Sequence, residues 1–483
     1  MRNELRGNLR NAWRTLASML VGAALSASAW AADVQIINAS PPGVGLNDPT
    51  PAAPVGGNTG TTVGQQSLKV FERVAEIWGK KLRSDVPITV LTFYERLDCD
   101  ATGAVLGAAG AMTIWRDFPN APRANTWYPS ALANKLARTD LFPDPQPDGS
   151  EADIVAFFNS ALGADDCLAG SAFYLGLDGK APEGQIDLLT TVLHEVGHGL
   201  GFQTFTDDAT GEQIDNSPSV WDHLLLDPQR QKTWAKMNDA ERVASAITPR
   251  NLVWNGSKVH AAAPRVLERG TPDLFVAGRD LNRFLLVGPA AFGPPLSDGD
   301  VAAELVQLVD QPDGRGLACT PLSPANAAKV KKKVVLVDRG TCSFTIKVKN
   351  AQVAGARAVL VADNAPGSPP FALAGADPTI TIPSLRITLD DGIALKAALA
   401  PNRPRIGPVA VLFNNLLKLA GADYFGRVYM YTPNPNSPGS SVSHYDIGAT
   451  PNLLMEPFAE PNQAIAVSAP KDLTFELLQD IGW

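Results

Sequence analysis

Apolar positions recur along the first two hundred residues in two rhythms. Leu68, Phe71, Val74, Ala75, Trp78 and Leu82 fall three or four apart, the spacing that gathers side chains on one face of a helix. VPITVLTFYERL (86–97), rich in β-branched and aromatic residues, reads as a strand, and AVLGAAGAMTIW (104–115) is a second apolar run. DIVAFFN (153–159) and AFYLGLDG (172–179) carry the same strand signs. LLTTVLHEVGHGL (188–200) returns to the helical rhythm, with Asp187 placed to cap its first turn. The expected unit is α+β: a helix, several strands, then a second helix. Residues 32–64, rich in Gly, Pro, Asn and Thr, read as extended chain, either a propeptide or the first part of that unit.

A helical stretch around WAKMNDAERVASAI and the segment NLVWNG follow within residues 220–256, and after residue 262 the pattern changes. In KKKVVLVDRGTCSFTIKVKNAQVAGARAVLVADN (331–364), two continuous apolar strands flank a helix that Gly355 can end. Such a βαβ unit needs a parallel sheet of its own. ITIPSLRITLDDGIALKAAL (380–399) adds a strand and a helix capped near Asp390. Past Pro401, Pro404 and Pro408 the chain becomes loop-like and ends in the helical LTFELLQDIGW. The expected divisions are 32–262, 263–407 and 408–483.

A chain of 483 residues fits two or three domains, and 45% hydrophobic with 19% charged residues suits a buried core. The net charge of −8 argues against a nucleic-acid binder. Arg2, Arg6, Arg10 and Arg14, the short apolar LASMLVGAAL (16–25) and the small-residue SASAWA (26–31) read as a secretory signal, with cleavage after Ala31. Its removal takes away four Arg and one Glu and leaves about −11. No other apolar run is long enough to span a membrane, so no membrane association is expected after cleavage. The product is expected in the periplasm or outside the cell. Four cysteines in an exported chain favour two disulfides. Sequence order suggests Cys99–Cys167 and Cys319–Cys342, and other pairings stay open.

HEVGH places His194 and His198 one turn apart on one helix face, so that two imidazoles reach one ion. Glu195, one position on, stands beside the metal without binding it, where it can take a proton from a zinc-bound water. Gly199 and Gly201 can end the helix and turn the chain away beneath the metal. A catalytic zinc needs a third protein ligand, and position 204, six residues on, is Thr204. His223 lies in the helical-looking SVWDHLLLD, His260 in SKVHAAAP at the edge of the second domain, and His444 in a loop eleven residues before Met455.

HEVGHGLGF, the distant SHYD and then NLLMEP together resemble the metzincin metallopeptidases, specifically their leishmanolysin-like branch. The resemblance implies that His444 is the third ligand, displaced by an insertion, and that Met455 forms the floor beneath the zinc. VVLVDRGTCSFTIKVKNAQVAGARAVLVADN with ITIPSLRIT resembles the protease-associated (PA) domain, which is thought to bind or gate substrate. Cys319–Cys342 would then be its internal disulfide. The whole is similar to secreted bacterial metallopeptidases with a PA domain inserted between HExxH and the third histidine. The implied fold class is α+β, a zincin/metzincin-like catalytic domain split by an inserted α/β PA domain. Tyr445 stands where leishmanolysin-like enzymes usually carry Trp. It is a candidate hydrogen-bond donor to the tetrahedral intermediate, set against a plain packing role. No cysteine precedes Cys99, so a cysteine-switch propeptide is not available.

The expected function is hydrolysis of protein or peptide substrates by one zinc ion, with Glu195 as general base. By analogy, substrate lies along an edge strand before the motif helix, for which AFYLGLDG is the candidate. Two rival readings stand beside this one. The third ligand is a nearby carboxylate, Glu212 or Asp222, or the protein is a secreted peptide-binding module with a non-catalytic zinc. Calcium suits an exported acidic protein, but no acidic loop has a binding spacing. Oligomeric state and cleavage specificity have no motif.

Overall fold

The computed structural model describes residues 31–142, 151–278, 281–400, 407–460 and 463–483. The signal segment therefore lies outside the described residues except for Ala31, as do Pro401 and Pro404.

The first sheet contains β1 (Val34–Asn38), β2 (Ile88–Glu95), β3 (Gly107–Ala111) and β4 (Ile154–Asn159), in the order β1-β2-β4-β3. The first three strands in that order run parallel, and β3 closes one edge antiparallel to β4. β1 shows that the stretch beginning at residue 32 belongs to this fold, and Ala32 is buried. Against the sheet packs α1 (Val63–Lys81), started by Thr62, whose side chain accepts a hydrogen bond from the Gln65 amide. Its inner face is Val70, Phe71, Val74 and Trp78, whereas Leu68 faces solvent. The motif helix α2 (Leu188–Gly199) is capped by Asp187, which accepts from the Thr190 amide. Leu188, Leu189, Val192, Leu193 and Val196 seat it in the core, so its axis cannot shift without opening that core.

A second sheet of eight strands is built from β5 (Pro272–Ala277), β6 (Asn282–Leu285), β7 (Val287–Gly288), β8 (Val301–Gln307), β9 (Val334–Asp338), β10 (Ala358–Ala362), β11 (Ser384–Ile387) and β12 (Val409–Asn414). Their order is β6-β5-β12-β8-β9-β10-β11-β7, with β8, β9, β10 and β11 parallel. β9 and β10 are buried at every position, as parallel strands covered on both faces must be. Between them runs the helix Phe344–Val353, and Gly355 follows it at φ +88°. The helix Leu389–Ala398 is capped by Thr388, not by Asp390, which sits in its first turn. The expected boundary at 407 falls short, because β12 lies at the middle of this sheet. At the other end, the helix Ser257–Val266 runs past the expected boundary at 262, packs against the terminal helix Thr474–Ile481 and joins the core shared by both ends of the chain.

Two further expectations need correction. SVWDHLLLD is a turn leading into a short strand, Leu225–Asp227, rather than a helix. AFYLGLDG is a strand only over Ala172–Tyr174, paired with Gln185–Asp187. The apolar residues separate in the same way as the sheets. One cluster gathers residues from both 32–267 and 419–481, and two others lie wholly within 274–412. The disulfides are Cys99–Cys167 and Cys319–Cys342. No helix among the described residues is long and apolar enough to cross a membrane.

Candidate metal centre

The motif helix delivers His194 and His198 side by side, and the loop around residue 444 meets them from the opposite wall. The three Nε2 atoms form a triangle. His194 to His198 is 3.0 Å, His198 to His444 3.1 Å and His194 to His444 3.2 Å. These contacts are not hydrogen bonds, because each ring already uses its Nδ1–H elsewhere. His194 donates to the Leu454 carbonyl at 2.7 Å, His198 to Phe202 at 2.7 Å and His444 to Ser440 at 2.8 Å. Three Nε2 lone pairs therefore face one another in a buried space. That arrangement is repulsive by itself and is relieved by a cation at the centre. Tetrahedral zinc ligands at ~2.0–2.1 Å stand roughly 3.3 Å apart, so the triangle fits such an ion. Among the described residues this is the one group of three side chains able to hold a metal. Burial pushes the His194 imidazole down to about 4, and burial together with His194 pushes His198 down to about 3. Burial also holds His444 well below the ordinary range. All three are thus neutral ligands at physiological pH.

Glu195 lines the same cleft without joining the triangle. Its carboxyl is hydrogen-bonded by the backbone of Ala109 in β3, and burial raises it to about 8. It fits there because residue 107 is glycine. A Cβ on Gly107 would stand 2.9 Å from Glu195 Cγ and 3.0 Å from Oε1. Beneath the helix, a Cβ on Gly197 would stand 2.9 Å from Met455 Sδ, so the fully buried Met455 packs directly under the histidine helix. The chain leaves the helix through Gly201 at φ +118°, a conformation that favours glycine.

The loop carrying His444 has almost no regular structure and is held by hydrogen bonds. Tyr431 donates its amide to the His444 carbonyl, and Val442 donates to Tyr431. The Tyr445 amide donates to Met455, while the Leu454 amide donates to the buried Asp472 at 2.7 Å. Asp472 thus fixes the residue whose carbonyl orients His194. Sequence reasoning did not identify Asp472, Gly107, Phe202 or Ser440, since each acts through backbone geometry that carries no motif.

Several sequence candidates lie elsewhere. Tyr445 is fully buried and donates its hydroxyl to the Leu473 carbonyl at 3.2 Å, with its ring against Phe202. It does not line the cleft, so its place is in the packing and not at the reacting atoms. Asp222 accepts from Thr204, Thr206 and the Ser219 amide, each at 2.8 Å, and Glu212 is exposed, so neither joins the histidines. His223 meets Thr126 at 3.1 Å, and His260 is exposed on a helix. AFYLGLDG does not border the cleft, whereas the edge strand β3 does. The cleft has a volume of about 960 Å³ and is walled by residues 103–109, the motif helix, residues 438–444 and residues 456–459. Cys99–Cys167 braces the loop that enters the first of these walls.

Residues 301–395 match the PA domain family. Vacuolar-sorting receptor 2 of Arabidopsis thaliana is 46% identical over 78 residues, which cover 14% of this chain and 12% of the receptor. Vacuolar-sorting receptor 3 of the same plant is 46% identical over 74 residues, with the same coverage. The chain therefore spans only 12% of the length of these curated relatives. Similar solved structures include an aminopeptidase from Aneurinibacillus sp. strain AM-1, 25% identical over 31% of each chain, with a TM-score of 0.23. A zinc aminopeptidase from Bacillus subtilis is 21% identical over 32% of this chain and 35% of its own, also at 0.23. A peptidase M28 precursor from Shewanella amazonensis SB2B is 11% identical over 47% and 50%, with a TM-score of 0.22. Such TM-scores are far from a shared overall fold. The central part of the chain, residues 301–395, is a PA domain.

Proposed function

We propose that the protein is an exported zinc-dependent endopeptidase of the metzincin type, with a leishmanolysin-like arrangement and the PA domain inserted into its catalytic unit. The observation that carries this reading is the triangle of Nε2 atoms with every Nδ1–H already committed. The apolar cluster shared by the two ends of the chain supports a split catalytic unit. His194, His198 and His444 hold the ion, and Met455 is the floor. When bound, zinc supplies Lewis acidity and lowers the pKa of a coordinated water toward about 7. Burial alone raises the Glu195 carboxyl, and the positive charge of a bound ion beside it would oppose that pull, so that Glu195 accepts the proton of the attacking water and passes it to the leaving amine. β3 pairs with β4 on one side only, so its free edge can receive an extended peptide as an added strand. A chain lying along that edge is cut internally, which is the endopeptidase reading. The two disulfides and the basic, apolar N-terminus support export.

The test is digestion of unfolded casein by the zinc-loaded protein and by Glu195→Ala, with zinc content measured in both. Internal fragments from the native protein alone, with equal zinc, are expected. Equal turnover by Glu195→Ala would sink the mechanism. Release of single amino-terminal residues would replace the endopeptidase reading.

A further inference from the structure

Apart from the three histidines, the titratable side chains that wall the cleft among the described residues are all carboxylates. Asp98, Asp100, Glu195 and Glu456 all line it, and none of its lining residues is Lys or Arg. Three of the four are accounted for or open to solvent. Asp100 is engaged by Thr102 and the Gly103 amide, Glu195 by Ala109, and Asp98 is exposed. Glu456 is different. Its residue is only 3% exposed, yet it borders the cleft. One oxygen accepts from the Leu453 amide at 2.8 Å, and the other has no hydrogen-bond partner among the described residues. The charged groups facing it are Asp446, Glu460 and Asp472, which together with burial hold its carboxyl well above the ordinary range, and it does not join the histidine group. Buried carboxylates are normally paired or bind a metal, because an isolated buried charge is costly. Two residues on, Phe458 lines the same wall at 43% exposure. Phe371 of the PA domain meets it edge-on at 5.3 Å, and Tyr431 lies at 6.1 Å. Aromatic faces of this kind accept both a methylene stem and a cation.

We infer that Glu456 is the partner of a positive group on the substrate, so that the cleft selects peptides presenting an ammonium or guanidinium beside the bond to be cut. Phe458, backed by Phe371, holds the apolar stem of that group. This inference rests on the peptidase reading above and specifies its substrate class.

The test compares peptides that differ only in lysine against norleucine at one position, each with a free or an acetylated amino terminus. Cleavage by the zinc-loaded protein and by Glu456→Gln is followed. Gln keeps an acceptor for the Leu453 amide, and thermal melting with zinc content checks that the variant folds. The lysine peptide is expected to be cut about tenfold or more faster than its norleucine twin, a ratio that Glu456→Gln brings near unity. A dependence on the free terminus alone would assign the positive group to the substrate's amino end. Equal rates for all four peptides, or a preference that survives in Glu456→Gln, would overturn the inference. Binding of the same peptides to Glu195→Gln, read by fluorescence anisotropy, separates the two readings. Lysine-selective binding without turnover by the native protein would remove the peptidase reading and keep the role of Glu456. Turnover without charge preference would do the reverse.

Discussion

The helix at 188–199 and the loop at 437–456 bring ligands to the same point by opposite means. The helix needs only its own periodicity. Residues four apart share a face, and an apolar stripe seats that face in the core. The loop has no period to rely on. His444 is placed by amides and carbonyls of Tyr431, Ser440 and Met455, by the sulfur of Met455 under Gly197, and by Asp472 behind Leu454. A metal centre made of one rigid half and one tethered half should respond unequally to damage, and that asymmetry can be measured.

The largest effect is expected from the ligand itself. His444→Ala removes one corner of the triangle while leaving the helix pair intact, so both metal retention and turnover should collapse. The loss should exceed the 10–100-fold that removal of a supporting partner typically costs. Zinc titration by calorimetry and peptide hydrolysis read the two quantities. Unchanged zinc affinity would mean that the helix pair finds its third ligand elsewhere.

Next comes the loop's anchor. Asp472→Ala frees the Leu454 amide and with it the carbonyl that orients His194, and a drop in zinc affinity of about 10–100-fold is expected. The same residue gives a pH signature. Burial raises its carboxyl from 3.8 to about 6. The folded state therefore holds its proton where the unfolded chain has lost it. The contribution of Asp472 is most favourable below pH 4 and is lost as pH rises through about 6. Denaturant unfolding of the zinc-free protein should show the native chain losing up to about 3 kcal/mol relative to Asp472→Ala across that interval. A difference that is flat with pH would mean that Asp472 titrates normally.

On the rigid side the sensitive point is a contact rather than a ligand. Gly107→Ala forces Glu195 off β3 while leaving the histidines in place. Turnover should fall about 10–100-fold with zinc affinity unchanged, since displacement of about an ångström at a reacting group has that consequence. A matching fall in zinc content would show that β3 supports the metal rather than the base.

The same asymmetry decides how much of the molecule is legible in its sequence. Spacing alone places His194, Glu195 and His198, and continuous apolar runs place β9 and β10. His444 and Met455 are reached only through likeness to a known arrangement, because nothing between residues 200 and 443 fixes the distance in space. The boundary at 407 is misplaced because β12 pairs with strands more than a hundred residues away, and pairing at that range leaves no local mark. SVWDHLLLD reads as helical because its apolar spacing suits a helix. Its backbone instead follows Asp222, whose carboxylate takes donors from Thr204, Thr206 and Ser219. Nothing in the spacing of Asp98, Asp100 and Glu456 marks them as sharing a site, and only the folded cleft gathers them on its walls.

The smallest predicted effect separates support from chemistry within the tethered half. Tyr445 follows a ligand directly in sequence, which makes it a candidate donor to the reacting carbonyl. Its hydroxyl instead reaches the Leu473 carbonyl at the head of the terminal helix, and its ring packs on Phe202, whose carbonyl holds His198. Tyr445→Phe removes one neutral hydrogen bond and leaves one buried carbonyl less satisfied, worth about 1 kcal/mol of stability. The ring remains, so Phe202 and His198 stay where they are. Turnover should therefore change by no more than about twofold, while the melting temperature falls by roughly 1–2 °C. A hundredfold loss of turnover at unchanged melting temperature would put the hydroxyl among the reacting groups. It would also mean that the tethered half rearranges when substrate binds, a freedom that the buried helix does not have.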